Sequence, residues 1–275
     1  MDQRGKPGAD AGDLAARILG SAKYRNLDPE LVHRVAAEAA GRFRNRAEAE
    51  KYARRKLHQA FGAFVSGSPA EAVRTAVAAV TSGTAGVREA ARAAMAAHSS
   101  SAERLEWLVP FYDQVAAWCG RPGSVADLAC GLNPLAIPWM TLAPDACYWA
   151  CEADGALVAA LAGLGEIMPV RFRAVTCDLV ASPPELSADV ALLLKTVPTL
   201  QQQADGAAGR VLRNLTCAHV IVSFPRRSLS GRRAYSDDAG ATAERLAAES
   251  SYRVAGAAEF GDELVFHLLG EPCAP

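Results

Sequence analysis

Two strand-like segments near the end of the chain, 252–259 and 263–269, are separated only by a short turn at Gly261-Asp262. A parallel crossover needs roughly a dozen residues or more, so this pair must run antiparallel. From residue 100 to that hairpin the pattern alternates. Strands read at 124–130, 146–152, 171–177, 188–195 and 219–224, and helices at 135–141, 154–164, 205–215 and 237–250. A further helix reads at 102–118, through Leu105, Leu108, Val109, Tyr112, Val115 and Ala116. Strands alternating with helices imply a mostly parallel sheet covered on both faces. The expected architecture is an α/β sheet of seven strands whose last two form the hairpin.

Ligands of such sheets lie beyond the C-terminal ends of the strands. The first strand ends in Asp127-Leu-Ala-Cys-Gly131-Leu-Asn-Pro134, a small-residue turn in which a glycine lets backbone approach a ligand closely. Asp127 lies near that strand end. Glu152 ends the second strand, placed to bind ribose hydroxyls, and Asp178 ends the third, placed to accept from an adenine amino group. Any one of these acids reads as a strand-end cap or a solvated charge. Three on consecutive strand ends are harder to dismiss, and they stand where a methyltransferase fold needs them. The nicotinamide fingerprint Gly-x-Gly-x-x-Gly is missing. Seven strands with a terminal hairpin describe the Rossmann-like class I S-adenosylmethionine-dependent methyltransferase fold.

The first hundred residues differ in texture. Residues 1–12 are rich in Gly, Ala and Asp and are expected to be disordered. Leu14, Ile18 and Leu19 then share a helix face. Asp28-Pro29-Glu30 opens a helix with an N-cap and a first-position proline, carried on by Leu31, Val32, Val35, Ala36 and Ala39. Further helices read at 46–62, 70–82 (opened by Ser68-Pro69) and 85–97. An all-helical module over 1–100 therefore precedes a sheet domain over 101–275. Net charge is -1, so nothing draws the whole chain to nucleic acid, yet its distribution is uneven. Arg42, Arg44, Arg46, Lys51, Arg54, Arg55 and Lys56 face only Glu48 and Glu50 in the same stretch, with Lys23, Arg25 and Arg34 nearby. That cluster reads equally as a solvated face with i, i+4 pairs such as Glu50–Arg54 or as a phosphate-binding surface.

Seven cysteines with no Cys-x-x-Cys pair give no expectation of a metal site or a disulfide framework. No signal peptide and no membrane-length apolar run are readable, so a cytosolic protein is expected.

The runs Asp127-Leu-Ala-Cys-Gly-Leu-Asn-Pro-Leu-Ala-Ile-Pro-Trp-Met140 and Leu192-Leu-Leu-Lys-Thr-Val-Pro198 resemble the aminoglycoside-resistance 16S ribosomal RNA methyltransferases. So do Lys56-Leu-His-Gln-Ala-Phe-Gly-Ala-Phe64 and Val222-Ser-Phe-Pro225 with Ser228-Leu229. The likeness spans nearly the whole chain. It is strongest to the actinomycete producer branch, which methylates N7 of guanine 1405 and so blocks gentamicin and kanamycin. It implies a helical part that docks on the 30S subunit, favouring the RNA reading of the basic cluster. It also implies an S-adenosylmethionine pocket, leaving S-adenosylhomocysteine as product. Phe64 would contact the cofactor, and the segment from His98 would bring Arg104 to the methionine carboxylate. Ala129 and Gly131 would form the turn, Asp178 and Leu179 the adenine site, and Leu194 and Gln203 the far wall. The ribose residue of the family is typically Asp, where this chain has Glu152.

Guanine N7 has an in-plane lone pair and no proton to lose, so no general base is nominated. The strand ends in Lys195-Thr-Val-Pro198 and lacks the (Asp/Asn/Ser)-Pro-Pro-aromatic motif of exocyclic-amine methyltransferases. Reaching N7 implies turning the base out of its stack. Trp107 and Trp139 are candidates to hold it, against core packing as the ordinary role of a tryptophan. Lys195 is a candidate for the base or a phosphate. Arg226, Arg227, Arg232 and Arg233, in the loop after the fifth strand, would clamp the RNA backbone. A monomer acting without metal is expected. The alternatives are N1 methylation of adenine 1408 and an inactive rRNA-binding homologue.

Overall fold

The computed structural model describes residues 9–61, 68–97, 99–226 and 236–270. Helix α1 (Ala11–Leu19) begins within the stretch expected to be disordered, because the Asp10 carboxylate accepts from the Asp13 amide and caps it. Helix α2 (Pro29–Arg42) is capped by Asp28, and α3 (Arg46–Phe61) follows. These three share a core of their own, including Leu14, Ile18, Leu31, Val32, Val35, Ala53 and Leu57.

Helices α4 (Pro69–Thr81) and α5 (Val87–Ala96) join a different core. Their Val73, Ala91, Ala94 and Met95 pack with Phe111, Tyr148, Leu157 and Leu161 of the sheet domain. The packing boundary therefore falls between α3 and α4, not at residue 100. Both pairs of helices are alanine-rich with apolar stripes, and periodicity does not say which core a stripe enters.

The expected helix at 102–118 is interrupted. A single turn, α6 (Ser99–Ala102), is followed by turns and then α7 (Leu108–Cys119). The break turns the Arg104 side chain inward, where it is 8% exposed. A helix continuing through Arg104 would set its direction by helical spacing alone.

The sheet contains β1 (Ser124–Leu128), β2 (Cys147–Glu152), β3 (Arg171–Thr176), β4 (Leu186–Leu194), β5 (Leu215–Pro225), β6 (Tyr252–Phe260) and β7 (Glu263–Gly270). Their order is β3-β2-β1-β4-β5-β7-β6. The first five strands run parallel, and β7 inserts antiparallel between β5 and β6, as the short Gly261-Asp262 turn requires. This is the class I methyltransferase arrangement. Alternate side chains enter opposite cores: Val125, Leu192 and Ile221 on one face, Ala126, Leu193 and Val222 on the other.

The segment expected as an α-helix at 135–141 is a 3-10 helix, Asn133–Trp139. Pro138, inside the segment, lacks the amide donor an α-helix would use there. Helix α8 (Gly155–Leu161) follows β2. After β4 comes an unanticipated α9 (Val197–Gln203), whose Pro198 sits in the first turn, where no amide is needed. Helices α10 (Ala207–Arg213) and α11 (Ser236–Ala248) complete the layers. Order reverses between β1 and β4, which places the crevice beyond their C-terminal ends.

Because Met95 is 1% exposed inside the sheet-domain core, Met95→Ala should cost about 2–5 kcal/mol. Urea denaturation should show the loss in the transition that reports on the sheet. An unchanged midpoint would make α5 peripheral to that core.

Candidate active site

Among the described residues three non-glycine residues have positive φ, and two of them stand at adjoining strand ends: Ala129 (φ 53) after β1 and Lys195 (φ 57) after β4. Left-handed backbone costs a non-glycine residue on the order of 1–2 kcal/mol, and such strain gathers at functional sites. Gly131 (φ 50) continues the turn, and a Cβ built on it would meet nothing within 4 Å. Open space thus lies over the turn, as a ligand approaching backbone needs.

The carboxylate of Glu152 ties this turn to β2. It accepts from the Gly131 amide at 2.9 Å and from the Ala153 amide at 2.7 Å. Burial pushes its carboxyl above the ordinary value, against the amides that favour the ionised form. The extra methylene relative to Asp lets the side chain reach across from the end of β2 to the β1 turn.

Asp127 does not face the crevice. It is 1% exposed and accepts from the Tyr148 hydroxyl at 2.6 Å and the Asn133 amide at 3.0 Å. Burial raises its carboxyl to about 6. Its place among expected cofactor contacts is therefore corrected: it fixes the 3-10 helix behind the turn. Thr196, hydrogen-bonded to the Leu128 carbonyl at 3.3 Å, ties the β4 end to the β1 end.

Arg104 reaches the site, but with a partner that sequence reasoning missed. Its Nε and Nη2 grip Glu263 at 3.1 and 2.7 Å, and Nη1 donates to the Asn133 side-chain Oδ1 at 3.1 Å. Glu263, 4% exposed, also accepts from the Ser223 hydroxyl. Burial acts to raise its carboxyl, but Arg104 and Lys195 hold it below the ordinary value. Three of the five guanidinium donors are used among the described residues, so Arg104 keeps capacity for a ligand carboxylate. The only sequence signal for Glu263 was its place just after the hairpin turn.

Lys195 is held by its neighbours. Its amide meets Ser223 Oγ at 2.9 Å and its ammonium meets Glu103 at 2.9 Å. It lines a small cavity with Glu103, Arg104, Trp107, Phe260, Asp262 and Glu263. The two candidate tryptophans part company here. Trp107 is 40% exposed on the wall of that cavity, against Gly261, where a Cβ would lie 2.5 Å from the indole nitrogen. Trp139 packs against the core, with the Arg88 guanidinium 5.6 Å above its ring.

Asp178 and Gln203 come together, 4% and 6% exposed, and Leu179 is buried beside them; Leu194 ends β4. Both polar side chains are gripped by Arg34 of α2. Arg34, counted by sequence among surface cations, is thus turned into the protein.

On the basic face, Arg54 pairs with Glu50, Lys56 with Glu38 and Arg46 with Asp13, while Arg42 lies over Tyr52. Arg44, Lys51 and Arg55 are exposed, with no carboxylate partner among the described residues. Arg226 pairs with Glu259 at 3.0 Å. Phe64, His98, Arg227, Arg232 and Arg233 lie outside the described residues.

Away from the crevice the fold gathers Cys119, His219 and His267, whose ligating atoms lie within 4.8 Å of one another. The two imidazoles hydrogen-bond at 2.9 Å, and burial keeps His267 down at about 4.

The profile of the ribosomal RNA methyltransferase (FmrO) family matches residues 20–267. The chain belongs to this family. It is 53% identical to the 16S rRNA (guanine(1405)-N(7))-methyltransferase of Micromonospora olivasterospora, over 92% of this chain and 86% of the relative. It is 36% identical to the protein of that name from Micromonospora echinospora, covering 90% and 93%. Among solved structures, the 16S rRNA methyltransferase RmtF in complex with S-adenosyl-L-homocysteine matches with a TM-score of 0.81. That match has 29% identity and covers 98% of this chain and 100% of that one. The crevice of this methyltransferase is thus the expected cofactor face of its fold.

Because burial raises Asp127 from 3.8 to about 6, folding favours its protonated form. Its contribution is present below pH 4 and is lost as pH rises through 6. Between pH 4 and 7 the wild type should lose up to about 3 kcal/mol relative to Asp127→Asn. Denaturant titrations of both proteins at several pH values check this, and a pH-independent difference would contradict it.

Proposed function

We infer that this methyltransferase transfers a methyl group from S-adenosylmethionine to N7 of guanine 1405 of 16S rRNA within the 30S subunit. The modification confers resistance to aminoglycosides such as kanamycin and gentamicin. The observation that carries this reading is the near-full-length identity to proteins named for that reaction. The nucleoside-shaped set of strand-end groups supports it. No helix among the described residues is long and apolar enough to cross a membrane, which agrees with work on ribosomes in the cytoplasm.

The cofactor supplies an electrophilic methyl group on a sulfonium. The chain's part is to hold it and aim the base. We assign the backbone at Ala129 and Gly131, with Arg104, to the methionine end and Glu152 to the ribose. Asp178 and Leu179 are assigned to the adenine, and Leu194 and Gln203 to the opposite wall. N7 attacks with its lone pair and carries no proton, so no side chain needs to accept one. What remains for the protein is orientation and electrostatics. Trp107 and Lys195, on the wall of the cavity beside Arg104, are placed to receive a base turned out of its stack. Glu103 beside them places negative charge near the base that becomes cationic.

The helical unit α1–α3 is the proposed 30S docking element. Its cations without a carboxylate partner among the described residues, Arg44, Lys51 and Arg55, are proposed as the phosphate contacts, together with Arg226.

Methylation at N7 should make 16S rRNA in treated 30S subunits cleave at 1405 after borohydride and aniline. A reverse-transcription stop at 1408 would assign the adenine reaction instead, and no modification would leave only a binder. Replacing Arg44, Lys51 and Arg55 together by Glu should weaken 30S binding at least about tenfold and flatten its salt dependence. S-adenosylhomocysteine affinity should stay as in the wild type. Unchanged 30S affinity would make this face merely solvated.

A further inference from the structure

We propose that Arg34 is a positioning residue of the cofactor site, through which the docking unit α1–α3 sets the geometry of the adenine end. This rests on the assignment of Asp178 to the adenine. Arg34 lies on α2, 144 residues from Asp178 in sequence, yet its Nε and Nη2 meet the two carboxylate oxygens at 2.7 and 3.1 Å. The same Nη2 meets the Gln203 side-chain carbonyl at 2.9 Å. One guanidinium therefore fixes two side chains carried by different elements, the end of β3 and the end of α9.

The arrangement is buried and specific. The Asp178 side chain is 2% exposed and that of Arg34 21%. Asp178 Oδ1 also accepts from the Val180 amide at 2.9 Å, which leaves Oδ2 with a single donor. A carboxylate oxygen accepts more than one hydrogen bond, so Oδ2 keeps acceptor capacity beyond the one donor it has among the described residues. Arg34 thus compensates the buried charge and aims the carboxylate without filling its acceptor capacity. A fork of this kind is a property of arginine, and a lysine ammonium cannot span both partners in the same way.

The seam around it is continuous backbone. The Asp28 amide donates to the Ala153 carbonyl at 2.8 Å and the Gly155 amide to the Asn26 carbonyl at 2.7 Å, next to Glu152. Leu27 and Asp154 form an isolated antiparallel bridge. Helix α2 therefore abuts the crevice at the ends of both β2 and β3. Anything that shifts the docking unit shifts the adenine end with it.

Calorimetric titration with S-adenosylhomocysteine on Arg34→Ala, Arg34→Lys, Asp178→Asn and the Arg34→Ala/Asp178→Asn double variant tests this. Arg34→Ala should weaken binding about 10- to 100-fold, the range of a charge-assisted hydrogen bond, and Arg34→Lys should recover part of it. The double variant should lose clearly less than the sum of the two single losses, since the arginine acts mainly through the aspartate, with Gln203 as its second partner. In 30S methylation the loss should appear in the cofactor KM, with kcat retained at saturation.

A purely structural role would not alter selectivity for the 6-amino group. The wild type should therefore reject S-inosylhomocysteine, and Arg34→Ala should lose that preference. Unchanged or tighter binding by Arg34→Ala, or additive losses in the double variant, would overturn the proposal. If Asp178→Asn itself binds and discriminates as the wild type does, the adenine assignment fails, and the proposal fails with it at an identifiable step. Thermal melts of each variant separate these outcomes from loss of fold.

Discussion

The buried ion pair between Arg104 and Glu263 is the interaction on which the crevice depends. Leaving either charge unpaired in such a place costs on the order of 3–5 kcal/mol. The pair joins the helix break before α7 to β7, and with Ser223 and Asn133 it brings β7, β5 and the 3-10 helix to one point. Ser223, Asn133, Tyr112, Tyr148 and Asp127 extend it as a hydrogen-bonded chain beneath the β1 turn. No side-chain polar atom buried within it lacks a partner among the described residues. A network satisfied in this way is rigid, which is what holding Ala129 and Lys195 in left-handed backbone requires.

On that frame the crevice has two sides with different owners. The side at Arg104 is built wholly from the sheet domain. The side at Asp178 is shared with α2 of the helical unit through Arg34, and Glu152 lies on the same backbone seam. The proposed docking unit and the proposed cofactor site are therefore joined by one ion pair. Helices α4 and α5, close in sequence to α1–α3, belong by packing to the core of the sheet domain.

Much of the fold was legible in the sequence. The seven strands followed from β-pattern and turn signals, and the antiparallel hairpin followed from a turn too short for a crossover. Of the three strand-end acids, Glu152 and Asp178 stand beside the crevice, while Asp127 faces the core. What failed did so for identifiable reasons. An internal proline, Pro138, stands where the expected α-helix is a 3-10 helix. A capped helix formed in a segment whose composition suggested disorder. Asp127 sat at the right strand end, but a strand alternates its side chains, and only the sheet's neighbours show that this one faces Tyr148 and Asn133.

Local pattern determined the elements, their order and the chemical kind of ligand, because periodicity, turns and charge placement act within a few residues. Tertiary structure decided the partners. Arg34 with Asp178, and Arg104 with Glu263, lie 144 and 159 residues apart. Nothing local distinguishes such an arginine from a solvated one. Burial decides it, since a charge removed from water must find its counter-charge, and only the folded chain shows which one is within reach.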